Sequence, residues 1–291
     1  MTERQQKAQE GELFRLLAEN VKDYAIFVID LQGRVQSWNP GAERLLGYQE
    51  EEIIGQSAEV FFTSEDVRSG VPQKEMKEAV AEGRGNDDRW HLRKDGSRLW
   101  AGGMMTPLWD EDHKLRGFAK IIRDRTEWKL RQEAAEEQTR LAAFINDVGL
   151  ALIQSDKLPD MLRQCAEAVV RHLDGAFARI WTLAPTEDVL ELRASAGMYT
   201  HLDGPHSRVP VGKYKIGLIA QEGTPHLTNS VVGDPRVSNQ EWARREGMVA
   251  FAGYPLVVDR RVIGVMAMFA RHPLTVATLG AMASVANGIA V

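Results

Sequence analysis

Side chains able to support metal or phosphoryl chemistry are present in this 291-residue chain, but their spacing serves neither. Histidines stand at 91, 113, 172, 201, 206, 226 and 272, with no HExxH run and no close His/carboxylate interval. Cys165 has no second cysteine, so the pattern of a zinc centre is missing. The glycines form neither GxxxxGK[ST] nor a GxGxxG after a strand. Gly96, Gly102, Gly103, Gly212 and Gly217 read as turn and bulge positions, and no phosphate cradle is expected. The spacing that does carry chemistry is one of hydrogen bonds. Asp124 can accept from the first free N–H groups of a helix, and Glu127, three residues on, can reach back as the reciprocal half of a capping box. Both lie in FAKIIRDRTEWKLRQ (residues 118–132), where a β-branched apolar run becomes a charged helical pattern with no glycine or proline between. A strand joined to a helix without a soft joint can pass on a tilt or rotation that a glycine linker would dissipate.

The elements that must position these groups fit a chain of 44% hydrophobic and 26% charged residues, whose length suits two ordinary domains. A formal net charge of −5 offers no basic stripe to displace counterions, so no nucleic-acid partner is expected. A single cysteine closes no intrachain disulfide, and the Met1 end lacks the charged-then-apolar pattern of a signal peptide. The expected location is cytoplasmic. The longest near-continuous apolar run, residues 249–258, falls far short of the roughly 20 residues that span a bilayer, and no membrane insertion is expected.

The first block, residues 12–126, reads as helix, two strands, short helices and three strands. Residues 24–30 and 34–38 form a hairpin through Leu31-Gln32-Gly33. Asn39-Pro40 opens a helix that leaves through Gly47. Strands at 89–93, 98–107 and 115–123 follow a helix-prone stretch at 64–83, turning at Asp95-Gly96 and at residues 110–113. From 127 to 154 the period is helical. Positions 130, 134, 137, 141, 144, 148 and 151 carry Leu, Ala, Glu, Leu, Phe, Val and Ala, which suits either a coiled coil or one amphipathic helix packing on its own domain. The second block has a helix at 158–173 ended by Gly175, strands at 176–184, 189–196 and 225–229, a helix at 238–246, long strands at 249–258 and 262–270, and a closing helix at 274–289. The expected class is α+β: two domains, each a central antiparallel sheet with flanking helices, at 1–126 and 155–291, joined by a long helix at 127–154.

WNPGAERLLGYQEEEIIGQ (38–56), RKDGSRLW (93–100) and GFAKIIRDRTE (117–127) resemble the successive blocks of a PAS domain over nearly all of residues 12–127. KIGLIA, PHLTN, WARREGMVAFAGYPL and GVMAMFAR resemble a bacterial GAF domain over roughly 140–291. PAS followed by GAF is similar to the input half of bacterial sensor histidine kinases, which implies signal reception rather than metabolism. The resemblance also matches Asp124, Arg125 and Thr126 to the Asp-x-Thr element at the exit of PAS domains, making Asp124, Thr126 and Glu127 the expected signal relay. If two protomers pair along the 127–154 seam, a shift in the sheet becomes a shift in helix register or crossing.

For a PAS pocket the resemblance implies Phe27, Trp38, Asn39, Phe61, Phe62, Trp90, Trp100 and Met104, and for a GAF pocket Trp181, Arg193, Thr228, Asn229, Trp242 and Tyr254. Aromatic walls with a few polar groups suit small molecules, and the same residues suit plain core packing. Flavin–cysteine photochemistry of the LOV type is excluded because Ala58 stands where its cysteine would be. Residues 67–82 hold no histidine for haem, and residues 242–254 hold no cysteine for bilin. Asn229-Ser230 and Asp234-Pro235 match the cyclic-nucleotide signature only loosely. Noncovalent flavin or a small metabolite stays open. His201-Leu202-Asp203-Gly204-Pro205 has the order of a phosphoacceptor motif, but its glycine and proline do not suit a helix. No catalytic residue is therefore expected in the chain. The expected partners are a second copy of the chain and an output kinase domain or response-regulator pathway. The alternatives are the sensory fragment of a histidine kinase and a ligand-free homodimerisation module.

Overall fold

Alternating apolar and polar side chains, broken by turn residues, build two antiparallel sheets in the computed structural model, which describes residues 3–290. The chain divides into two compact units between Glu133 and Ala134.

In the first unit, helix α1 (Glu3–Asn20) precedes strands β1 (Tyr24–Ile29) and β2 (Val35–Trp38). Helices α2 (Pro40–Leu46) and α3 (Glu50–Ile53), a 3-10 turn (Ala58–Phe61), α4 (Ser64–Arg68) and α5 (Val71–Glu82) come next. Strands β3 (Gly85–Leu92), β4 (Arg98–Trp109) and β5 (Leu115–Asp124) complete a sheet of order β2-β1-β5-β4-β3. Asn39 fixes the junction at its centre. Its Oδ1 accepts from the N–H groups of Ile26 (2.9 Å) and Ala42 (2.8 Å), and its Nδ2 donates to the carbonyls of Ala18, Val21 and Tyr24. The helix approaches β1 so closely that a Cβ at Gly41 would lie 2.0 Å from the Tyr24 carbonyl oxygen, which is why glycine follows Pro40.

Helix α6 (Thr126–Gln154) crosses the division without interruption. In the second unit, α7 (Leu158–Leu173) leads to β6 (Gly175–Leu183), β7 (Val189–Gly197), β8 (Arg208–Pro210), α8 (Tyr214–Glu222), β9 (His226–Thr228) and α9 (Gln240–Arg245). β10 (Ala250–Val258), β11 (Arg261–Ala270) and α10 (Val276–Ala290) follow, giving a sheet of order β8-β7-β6-β11-β10-β9. The β10–β11 hairpin turns through Asp259 and Arg260, both at positive φ (46° and 65°), as a two-residue turn twisted to match its strands demands.

Both expected sheets and the long helix are present, with two local differences. Gly175 does not end α7: Asp174 takes the left-handed conformation (φ 51°) and Gly175 opens β6. The sequence pattern gave neither β8 nor α8, because three residues are too few for a period and α8 is short. The apolar seam of α6 turns inward from Leu141 on. Phe144, Val148 and Ala151 are buried with α7 and α10 in the core of the second unit, and Leu141 packs beside them. Among the described residues no helix is long and apolar enough to cross a membrane, and no cluster of His, Cys, Asp and Glu suits a metal ion.

Candidate functional site

The sheet of the second unit has two unlike faces, and strand alternation assigns residues to them. On β6, Ala178 and Ile180 point into a core shared with α6, α7 and α10, whereas Phe177 and Trp181 point to the opposite face under α8 and α9. Arg179 shares their parity. That second face holds a cavity of about 280 Å³ lined by Phe177, Arg179, Trp181, Tyr199, Trp242 and Phe269 among others. Phe177 stacks on Phe269 with centroids 5.2 Å apart, and Trp242 meets Phe269 edge-on at 5.3 Å. The indole N–H groups are satisfied within the wall: Trp181 donates to the His206 carbonyl (2.9 Å) and Trp242 to the Tyr199 hydroxyl (3.0 Å). Gly217 lets α8 reach this face, since a Cβ there would lie 2.3 Å from the Pro210 carbonyl oxygen.

Three cations line the cavity. Lys215 is buried and pairs with Asp234 at 2.5 Å, and Arg236 grips the same carboxylate at 3.0 and 3.1 Å. Burial opposes ionisation of Asp234, but the hydrogen bonds from Arg236 and Lys215 outweigh it and hold the carboxyl below its ordinary range. Burial also lowers Lys215, against the pull of Asp234. Arg179 is only 8% exposed; its Nε donates to Ser195 Oγ at 3.1 Å, and its guanidinium lies 5.5 Å from the ring centroids of Phe177 and Tyr199. Burial, and then the Arg179 charge, lowers the pKa of His206.

Of the residues expected around this pocket, Trp181 and Trp242 line it. Tyr254 pairs with Met266 on the opposite face, where its hydroxyl donates to the Leu279 carbonyl (2.8 Å). Asn229 clasps Leu274 ahead of α10, accepting from its N–H (2.8 Å) and donating to its carbonyl (3.1 Å). Thr228 lies beside it on edge strand β9 and accepts from the Ser230 N–H. Arg193 spans Thr182 and Glu191 on the surface. Sequence reading missed Arg179, Lys215, Tyr199 and Phe251. For Arg179 a signal existed: a lone charge inside FARIW, on the parity of Phe177 and Trp181.

The interior of the first unit is filled by its own rings. Phe27, Trp38 and Phe61 lie 4.9 to 5.7 Å apart, and beside Phe61 and Phe62 a cavity of about 30 Å³ remains, room for a water or two and not for a three-ring flavin. Trp90 and Trp100 pair across β3 and β4 on the outer face of the sheet (5.3 Å), and Met104 is exposed there. The inner face carries a charged cluster that sequence reading missed. Lys120 Nζ lies 2.9 Å from Glu75 and 2.8 Å from Asp87, and Asp87 also meets His91 Nε2 at 2.7 Å. His91 Nδ1 faces the Phe61 carbonyl (2.9 Å). Burial raises Glu75, whereas at Asp87 the charges of Lys120 and His91 overcome burial and lower the pKa.

At the exit, Asp124 Oδ1 accepts from the Thr126 N–H (2.8 Å), while its Oδ2 accepts from Arg93 Nη2 (2.7 Å). Thr126 Oγ1 in turn accepts from the Trp100 N–H (2.9 Å). The expected capping box is half replaced: Glu127, being exposed, turns forward one helical turn to Arg131 (2.8 Å).

Comparison with known proteins agrees with these two units. Residues 23–127 match the PAS domain model and residues 155–291 the GAF domain model. The chain is 40% identical over 139 residues to the "Two-component system protein A" of Emericella nidulans, covering 48% of this chain and 20% of that protein. It is 29% identical over 137 residues to the "Cell-division control histidine kinase PdhS" of Brucella anthropi, covering 45% of this chain and 12% of that protein. Among solved structures, the GAF domain of a phosphoenolpyruvate-protein phosphotransferase from Coxiella burnetii is similar over 52% of this chain and 91% of its own, at 14% identity and a TM-score of 0.47. The chain thus spans a minor part of each of these curated relatives.

Proposed function

From a chain that carries a PAS domain followed by a GAF domain, we propose a cytoplasmic sensory module of two-component signalling whose input is a small molecule held in the GAF cavity. The observation that carries this reading is the cavity itself: about 280 Å³, walled by rings whose polar tips are already satisfied. A cavity of about 150 Å³ accepts benzene, so this one has room for a one- or two-ring molecule. In this reading the PAS domain couples and dimerises. Its interior is filled, and it presents exposed apolar residues on α1 (Leu13, Leu16, Leu17) and at the start of α6 (Trp128, Leu130) to a second copy. Helix α6 links the two roles, because it starts on the PAS sheet at Thr126 and ends in the GAF core at Val148 and Ala151. The output is a histidine kinase domain or a response-regulator pathway, in keeping with the names of the relatives.

The test is direct. The denatured supernatant of freshly purified protein is examined by mass spectrometry, and the folded chain is screened by thermal shift against a metabolite panel. A ligand bound only by the native state raises apparent stability. No co-purified molecule and no shift across the panel would leave a ligand-free homodimerisation module as the better reading.

A further inference from the structure

Arg179 stands apart from the other cations of the GAF cavity. Lys215 and Arg236 share Asp234, and Arg236 is also open to solvent. Arg179, more than nine-tenths buried in the middle of β6, has no carboxylate partner among the described residues. Of its five N–H donors only the one on Nε is used, by Ser195 Oγ. Ser195 is committed in turn, donating to the Tyr199 carbonyl at 2.7 Å. The rings of Phe177 and Tyr199, each 5.5 Å from the guanidinium carbon at their centroids, attract its charge without supplying a carboxylate. Its terminal nitrogens are not sealed in the protein but face the cavity, where no protein carboxylate answers their charge. Here the unpaired group lines the cavity of about 280 Å³ on its face of the sheet.

We propose that the GAF cavity binds a small aromatic monocarboxylate, its carboxylate paired with the Arg179 fork and its ring set against Phe177, Trp242 and Phe269. The geometry supports each part of that description. A planar guanidinium with free N–H groups matches a carboxylate through two parallel hydrogen bonds. Arg179, Lys215 and Arg236 stand at the cavity against the carboxylates of Asp203 and Asp234, an excess of one positive charge that a single ligand carboxylate balances. The Phe177, Trp242 and Phe269 rings offer both faces and edges to a ring within the available volume. The inference rests on the cavity being the ligand site of the sensory module and adds the chemical class of its ligand.

The experiment uses the 291-residue chain, isothermal titration calorimetry and matched pairs of probes: benzoate and benzamide, phenylacetate and phenylacetamide, indole-3-acetate and indole-3-acetamide. The expected result is that at least one acid binds and its amide binds ~10-fold or more weakly, since a charged fork left facing a neutral amide loses its best hydrogen bonds. Arg179→Gln should lower acid affinity to that of the amide, Arg179→Lys should keep part of the preference, and Arg193→Gln, on the outer surface, should change neither. Acid and amide binding equally well overturns the carboxylate inference and leaves the ligand site standing, as does a folded Arg179→Gln that binds the acid like wild type. If Arg179→Gln does not fold, the wild-type ratio within each pair decides. Binding by no probe of either charge overturns the inference and counts against the cavity as a ligand site; the metabolite screen then decides that broader reading alone.

Discussion

Arg93 and Asp124, 31 residues apart, meet at 2.7 Å between Nη2 and Oδ2. The pair joins the turn before β4 to the end of β5, and the other Asp124 oxygen holds the Thr126 N–H at the start of α6. Burial disfavours the Asp124 charge, but the hydrogen bonds from Thr126 and the Arg93 guanidinium outweigh it, so the carboxyl stays below its ordinary value. An acid with a lowered folded-state pKa stabilises fully above its unfolded value, about 4, and loses that contribution as pH falls through the folded value. Asp124→Asn should therefore cost about 1–2 kcal/mol at pH 7, and its deficit relative to wild type should shrink below pH 4. Urea unfolding at several pH values measures this; a deficit that stayed constant down to pH 2 would contradict the assigned pairing.

Helix α6 has no glycine from Thr126 through Asp147, so no soft point lies between the PAS sheet and Phe144 in the GAF core. A Gly-Gly insertion after Glu127 should leave both units folded while breaking their communication. Hydrogen exchange reads this out: once a GAF ligand is identified, its addition should change protection at residues 125–129 in the wild type and not in the insertion variant. Equal responses in both proteins would count against transmission through the helix.

Lys120 bridges two buried carboxylates, Glu75 and Asp87. Lys120→Met leaves both without their shared cation and should destabilise the PAS unit by about 3–5 kcal/mol, the usual cost of stripping one partner from a buried ion cluster. Adding Glu75→Gln should recover part of that loss, because the second change removes a charge the first had stranded. Denaturant midpoints of the two single variants and the double give the coupling, and strict additivity would show that the groups act independently.

Cys165 is fully buried on α7, and burial alone pushes its thiol up to about 11. Because the thiolate is the reactive form, the native protein should resist a thiol reagent at pH 8 and label only at the rate of unfolding. Rapid stoichiometric labelling of the folded chain would show instead that α7 opens locally.

Local pattern alone determined the two antiparallel sheets, the cap at Asn39, the hairpin at Asp259 and Arg260, and the uninterrupted run into α6. Each rests on a period or a turn that neighbouring residues define by themselves. Which face of a sheet meets which layer is a different matter, since strand alternation gives parity and not direction. Tyr254 looked as suitable for the pocket as Trp181, yet its register opposite Met266 sets it on the face covered by α7 and α10. Trp90, Trp100 and Met104 reached the outer face of the first sheet for the same reason. The seam of α6 fitted a partner helix or its own domain equally well, and from Leu141 on it is buried in its own domain because α7 and α10 cover it there. The Lys120 cluster was beyond local reading, and FARIW marked Arg179 only as a lone charge: whether a buried charge finds a counter-charge depends on residues brought from distant strands, and that only the tertiary structure decided.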